Sequence, residues 1–384
     1  MSSMHGGAVA IVGASETERV GTIPDRSVLQ LHTESAIRAV ADAGLTLDDI
    51  DGIANDGMPP HDVSHYLGIR PRWVDGTSVG GGSFMLHVRH AAAAIAAGAA
   101  DVVLITHGES GRSGVGTKPW SRDPASLGGQ FEQPFGALAP YSTFTTPVLA
   151  FLESRGMGRR DLAEVVAAQR EWSKGNPRAA RNTAISADEV LAAREIAYPF
   201  TRYMCCVVTD GGGALVLTSA ERARDLPSAA RTVHLLGSGE AAETPLVSQM
   251  DDLTSFGAFR AAGTEALRTA GITHDDVDHL MFYDAFAHLP LYMLEDVGFV
   301  GRGESGDFIA DGHTRPGGRL PLNTNGGGLS YTHTGKYGMF AIQEAVRQLR
   351  GEAFRQAPDV EISFVLGVGM FFGTAGSLVL TNRR

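Results

Sequence analysis

The segment Ala43-Gly-Leu-Thr-Leu-Asp-Asp-Ile-Asp51 returns 227 residues later as Ala270-Gly-Ile-Thr-His-Asp-Asp-Val-Asp278. A recurrence at this distance means a duplicated folding unit. In both copies an amphipathic helix leads in, over about 33–43 and 257–270, and an apolar strand follows, Gly52–Ala54 and His279–Tyr283. A second pair of segments matches behind the first. Gly80-Gly-Gly-Ser83 opens an alanine-rich helix that ends at Ala97-Gly98, followed by the strand Val102–Ile105. Gly326-Gly-Gly328 precedes a helix over Gly338–Arg350, followed by the strand Ile362–Leu366. Each half reads strand, helix, strand, helix, strand. This predicts an α/β fold of duplicated βαβαβ halves, residues 1–228 and 229–384, with a mostly parallel sheet covered by helices.

The first half is the longer. Residues 107–200 carry an insertion rich in Pro, Gly and aromatics, such as Lys118-Pro-Trp120 and Gln133-Pro-Phe135, with a helix over 161–174. It covers a site or pads a subunit contact. Thr209–Leu217 reads as a glycine turn into the strand that closes the first half, and Gly373–Leu380 closes the second.

A formal charge of −11 and only three lysines, Lys118, Lys174 and Lys336, argue against nucleic acid. Two adjacent cysteines, Cys205 and Cys206, make neither a disulfide framework nor a zinc site. His5, His32, His87 and His90 show no ligand spacing, so no metal is expected. Met1–Gly7 does not read as a signal peptide and no stretch is apolar enough for a membrane span, so a reducing cytoplasm is expected.

The richest segment for chemistry is Asn323–Gly338. Its glycine turn bares backbone to a ligand and carries Asn325, Gly326, Tyr331, His333 and Tyr337. Ser83 reads as an N-cap in preference to a nucleophile, and Asp284 as a turn or cap residue with a catalytic alternative. Lys336, beside Tyr337, is a weaker candidate for Schiff-base chemistry.

The duplicated half, the 80–101 segment, Tyr283-Asp-Ala-Phe286, Asn323–Gly338 and Gly367-Val-Gly369 together resemble the thiolase superfamily, in particular the thiolases related to sterol carrier protein. The resemblance covers the whole chain. It implies a five-layered αβαβα fold, a homodimer with the strand after the Gly80–Gly98 helix near the contact, and a coenzyme A thioester as substrate with no covalently bound cofactor. It also makes Cys205 and Cys206 core residues of the strand closing the first half.

The departures limit the chemistry. Thiolases carry a nucleophilic cysteine at the N-terminus of the first-half helix, where this chain has Gly80–Ser83. A His-Asp-Cys-Phe motif reads Tyr283-Asp-Ala-Phe286 here, and a Gly-His-Pro motif reads Thr332-His333-Thr334. Acyl-enzyme formation is lost, while the means to stabilise a thioester enolate remain. This pattern resembles the cysteine-less thiolase-like aldolases that shorten steroid side chains by retro-aldol cleavage, releasing propionyl-CoA or acetyl-CoA. They work with a DUF35-type partner, an OB-fold attached to a zinc ribbon. The resemblance implies catalytic roles for Tyr283, Tyr337 and His333, with Asp284 beside them and Tyr331 as a competing base. Gly81, Gly82, Ser83, Asn325, Gly326, Tyr331, Gly367 and Gly369 are the expected substrate contacts. The alternatives are a non-catalytic acyl-CoA-binding subunit and an acetyl-CoA acyltransferase with an unusual nucleophile.

Overall fold

The computed structural model describes residues 3–117 and 121–383, so Lys118-Pro-Trp120 lies outside the described residues. Among the described residues eleven strands form: β1 Val9–Glu16, β2 Gly52–Asn55, β3 Trp73–Asp75, β4 Val102–Ser110, β5 Glu195–Ala197, β6 Phe200–Thr201, β7 Asp210–Ser219, β8 Val233–Ala242, β9 His279–Phe282, β10 Ile362–Gly369 and β11 Thr374–Thr381. Nine of them make one sheet in the order β3-β2-β4-β7-β1-β8-β11-β10-β9, and β5 and β6 pair as a hairpin in the insertion.

The duplication is visible in that order. β2-β4-β7-β1 of the first half corresponds to β9-β10-β11-β8 of the second, and the halves meet where β1 pairs with β8. Leu322 forms a lone parallel bridge with Leu280, in the place that β3 holds beside β2. The sheet is mixed, contrary to the parallel expectation. β2 lies parallel to β3 and β4, and β9 to β10, but β4–β7, β7–β1, β10–β11 and β11–β8 are antiparallel. The turn Met370–Gly373 shows why: it is far too short for a crossover, so β11 must run back along β10.

The helices supply the remaining layers. Val28–Ala43 covers the outer face of the first half and Gly257–Ala270 that of the second. Ser83–Ala96 and Gly338–Arg350 pack on each other and on strands of both halves, as the middle layer of an αβαβα stack. Alternation along β1 serves both sides of its sheet. Ala10 and Val12 belong to the cluster under the 28–43 helix, and Val9 and Ile11 to the main core. The outer helices sit so close that a Cβ on Gly13 would lie 2.1 Å from the Ala39 carbonyl oxygen, and one on Gly239 2.0 Å from that of Ala262.

The repeated nine residues have the same physical job twice. Gly44 and Gly271 adopt φ of 73° and 71°, which ends each outer helix with a left-handed cap. Asp49 Oδ2 then accepts from Thr46 N at 2.9 Å, and Asp276 Oδ2 from Thr273 N at 2.8 Å. The last aspartate ties the following strand to its neighbour: Asp51 accepts from Val102 N at 2.8 Å, and Asp278 from Ile362 N at 2.8 Å.

Two local readings change. The glycines after Thr209 lie inside β7, because a Cβ on Gly212 would meet the His107 and Leu31 carbonyl oxygens at 2.4 and 2.7 Å. The cysteines precede β7 in a half-buried loop and are not strand core. β4 is flanked by β2 and β7, and β3 is the free edge at that end of the sheet. Among the described residues no single helix is long and apolar enough to cross a membrane.

Candidate active site

Tyr283 follows β9 directly, and its hydroxyl lies 2.8 Å from His333 Nε2. The two rings meet edge to face with centroids 5.7 Å apart, and Tyr337 stands 6.1 Å from Tyr283. All three side chains are buried. Sequence reasoning placed these three in one pocket, and the structure brings them together across 50 residues of chain.

The glycines explain how. A Cβ on Gly81 would fall 2.1 Å from Tyr283 Cε2, so the Tyr283 ring occupies the space that a side chain at 81 would need. Gly80–Gly82 forms a 3-10 turn against the end of β10, where a Cβ on Gly369 would meet the Val79 carbonyl oxygen at 1.8 Å. Gly367 is also close, with Gly82 Cα 3.0 Å from its Cβ position. The two glycine runs therefore touch backbone to backbone beside Tyr283.

Asp284 is buried and pins the second glycine turn. It accepts from Gly328 N at 2.7 Å and Leu329 N at 3.2 Å, at the start of the short helix Gly327–Ser330. Asn325 Oδ1 accepts from the Tyr337 hydroxyl and from Gly327 N, each at 2.8 Å. Gly326 has φ of 105°, and a Cβ there would meet Ser173 Cβ at 2.5 Å.

Two expected members face elsewhere. The Tyr331 hydroxyl donates to Glu16 Oε2 at 2.6 Å, inside a buried charge cluster that Arg178 and Arg347 complete. Ser83 is a helical residue, with φ of −51°, and not an N-cap. Its hydroxyl donates to Asp56 Oδ2 at 2.6 Å. Asp56 also meets Lys336 Nζ at 3.2 Å, and Lys336 reaches Glu109 at 3.1 Å. Asp56 and Glu109 carried no motif and were missed in the sequence. Burial works against a charged Lys336, but Glu109 and Asp56 raise its pKa on balance. A lysine held protonated in this way does not suit Schiff-base chemistry.

The electrostatics of the pocket come mainly from desolvation. Burial lowers His333 to about 4, so its ring is neutral at pH 7. Burial raises Tyr283 and Tyr337 well above the usual phenol value, so both carry their protons. In the tautomer that carries its ring proton on Nδ1, His333 Nε2 accepts from the Tyr283 hydroxyl. The arrangement is a phenol backed by a neutral imidazole, able to pass a proton along O–H···N.

Cys205 and Cys206 form part of the wall. Cys206 N donates to the Ala285 carbonyl oxygen at 2.8 Å, Val207 N to that of Gly328 at 2.9 Å, and Thr209 N to that of His333 at 3.1 Å. The cysteines thus lie nearer the pocket than the sequence suggested. Burial pushes both thiols up to about 12, the opposite of an activated nucleophile. Exchanging both for serine is expected to leave turnover within about threefold, far from the loss that removing a nucleophile brings. A thiol reagent that abolishes turnover through either residue, with the fold intact by circular dichroism, would contradict this.

A family model described as Thiolase C-terminal domain-like matches residues 239–382. The chain is 35% identical over 397 residues to 17-hydroxy-3-oxo-4-pregnene-20-carboxyl-CoA lyase of Mycobacterium tuberculosis, covering 99% of each. It is 32% identical over 392 residues to the steroid side-chain-cleaving aldolase of Thermomonospora curvata, covering 98% of this chain and 99% of the relative. Among solved structures, one described as Ltp2-ChsH2(DUF35) aldolase superposes with a TM-score of 0.91 at 32% identity, over 98% of this chain and 99% of the other. At this identity and coverage, the chain belongs to the thiolase superfamily, among its thiolase-like aldolases.

Proposed function

We propose that this protein is a carbon–carbon lyase that cleaves a 3-hydroxyacyl-CoA derived from a steroid side chain, by retro-aldol chemistry through a thioester enolate. The observation that carries the reading is the Tyr283–His333 pair, 2.8 Å apart in a buried cluster whose neighbouring thiols are not activated. Tyr283 accepts the proton of the β-hydroxyl as its own proton passes to His333 Nε2. The β-oxygen electrons form the ketone, the Cα–Cβ bond breaks, and its electrons move into the thioester as an enolate. The proton held on His333 then returns through Tyr283 to Cα, so the products are a ketone and a shortened acyl-CoA. Backbone N–H groups of the Gly80–Gly82 turn, which abuts Tyr283 at Gly81, are the donors assigned to the enolate oxygen in this scheme. Tyr337, tied to Asn325, is a second phenol of the pocket. The two aldolase relatives support the substrate class by their names, and the Ltp2-ChsH2 structure supports a DUF35-type partner. A homodimer is part of the same proposal, with the free edge of β3 available for the contact.

Incubating the protein and a DUF35-type partner with a 3-hydroxyacyl-CoA bearing a steroid nucleus should yield a steroid ketone and propionyl-CoA or acetyl-CoA by mass spectrometry. Acyl transfer to free CoA, or substrate bound but unchanged, would defeat the proposal.

The pH dependence follows from His333. The relay needs neutral imidazole, so activity is present above the His333 pKa and lost as pH falls through it. With that value at about 4 in the free protein, kcat/KM should show no inflection at the ordinary histidine value. An acid limb centred near pH 6.5 in a pH–rate profile would count against the relay.

A further inference from the structure

Behind the wall of the pocket lies a group of arginines that form no salt bridge among the described residues. The guanidinium carbons of Arg170, Arg181 and Arg202 stand 5.5, 5.4 and 4.6 Å from the centroid of the Tyr203 ring. Arg170 is 3% exposed, and its Nη2 has no hydrogen-bond partner among the described residues. Its other nitrogens reach only neutral groups, Nε to Ser330 Oγ at 2.9 Å and Nη1 to the Thr183 carbonyl oxygen at 3.3 Å. Arg181 likewise donates to carbonyl oxygens, those of Leu329 at 2.9 Å and Cys205 at 3.2 Å. Burial lowers both Arg170 and Arg181, and each is further lowered by neighbouring arginines, with Tyr203 acting in the opposite direction. Burial, and then Arg181, lower Arg170 to about 10.

A finished structural cluster would pair such charges. Elsewhere in this chain buried arginines are paired: Arg155 with Glu295 at 2.8 Å, Arg122 with Glu132 at 2.8 Å, and Arg350 with Asp42 at 2.8 Å. An aromatic face offsets part of the repulsion. It supplies no acceptor for the free Nη2. Planar guanidiniums converging from several sides are the arrangement that holds an oxyanion through charge-assisted hydrogen bonds.

We propose that Arg170, Arg181 and Arg202, gathered around Tyr203, form a binding site for a phosphate-class oxyanion. Two sources present that chemistry: inorganic phosphate, and the phosphate groups of a coenzyme A ester. The site adjoins the pocket through Arg181, which holds Cys205 and Leu329, so its occupant would brace the wall on which Asp284 and the second glycine turn rest.

The test is calorimetric titration of the full chain, at fixed ionic strength, with inorganic phosphate, with CoA and with 3′-dephospho-CoA. Arg202 is exposed, so Arg202→Gln should fold, and melting by circular dichroism checks that it does. Wild-type protein is expected to bind phosphate or CoA saturably, and Arg202→Gln to weaken that binding at least about tenfold, with partial recovery in Arg202→Lys. Competition between phosphate and CoA, lost with 3′-dephospho-CoA, assigns the site to the 3′-phosphate of CoA. Competition retained by 3′-dephospho-CoA assigns it to the diphosphate. Phosphate binding that CoA does not displace assigns it to the free ion. No saturable binding of any of the three, or wild-type affinity in both Arg202→Gln and Arg181→Gln, overturns the site. Binding is read without turnover, so a failure of the aldolase reading would leave this result standing.

Discussion

Replacing Tyr283 by phenylalanine is expected to lower kcat by about 10²–10⁴ while KM stays near its wild-type value. The substitution removes one oxygen and little else. The phenylalanine ring keeps the place against Gly81 and the edge-to-face contact with His333, so the pocket retains its shape. What disappears is the O–H that reaches His333 Nε2 at 2.8 Å, and with it the route from the β-hydroxyl to the imidazole. Tyr337→Phe should cost less, because the Tyr337 hydroxyl is bound to Asn325 and no bond joins it to His333. Steady-state kinetics on both variants decides between the relay and a purely structural pair. Turnover within about threefold of wild type in both, far short of a general base's usual contribution, would make the phenols structural. A non-catalytic acyl-CoA-binding subunit would then be the better description.

What the sequence disclosed, and what it hid, follows from the range of the interactions involved. The repeat was legible because its work is local: a glycine cap, a Thr–Asp turn and an aspartate at the strand start all lie within nine residues. Tyr283, His333 and Tyr337 were legible as residue types in suggestive places, but their pairing depends on Gly81, two hundred residues upstream, leaving room for a ring. Strand direction was misread because alternating helices suggest crossovers everywhere. The short Met370–Gly373 connection was a usable signal for an antiparallel pair. Ser83 looked like a cap because serine before an alanine run often is one. Its actual partner, Asp56, lies in a loop with no motif and is brought to it by the sheet. Tyr331 carries the same chemistry as its neighbours, and only its position beside Glu16 and Arg178 directs it into a charge cluster. The tyrosines also illustrate how burial overrides residue type. A phenol suggests a base with a lowered pKa, yet desolvation raises both of them, and only the relay to a neutral histidine reconciles the residues with base chemistry.

The same desolvation should make the fold acid-labile. Burial lowers His32, His107, His279 and His288 to about 3, against 6.5 for a free histidine. The sign is fixed by linkage. Between those values the unfolded chain binds protons that the folded chain excludes, so the stabilisation is complete above pH 6.5 and lost as pH falls toward the folded values. Each such histidine contributes a slope of about 1.4 kcal/mol per pH unit, and together the four give about 5, comparable with the low end of whole-domain stabilities. Asp296, raised to about 6 by burial, and Asp284, raised well above its usual value, take up protons in the folded state and offset part of this. Urea unfolding midpoints should therefore fall steadily below pH 6.5, with a loss of order 10 °C in Tm between pH 7 and 5. A midpoint that stays level over that range would refute the account. His288 offers the cleanest single test. Its ring nitrogens have no hydrogen-bond partner among the described residues, and Phe144, Phe200, Phe286, Tyr292 and Phe372 surround it. His288→Phe keeps an aromatic ring in an aromatic cage and removes a titrating group. It should flatten the stability slope by about 1.4 kcal/mol per pH unit and shift acid unfolding to lower pH.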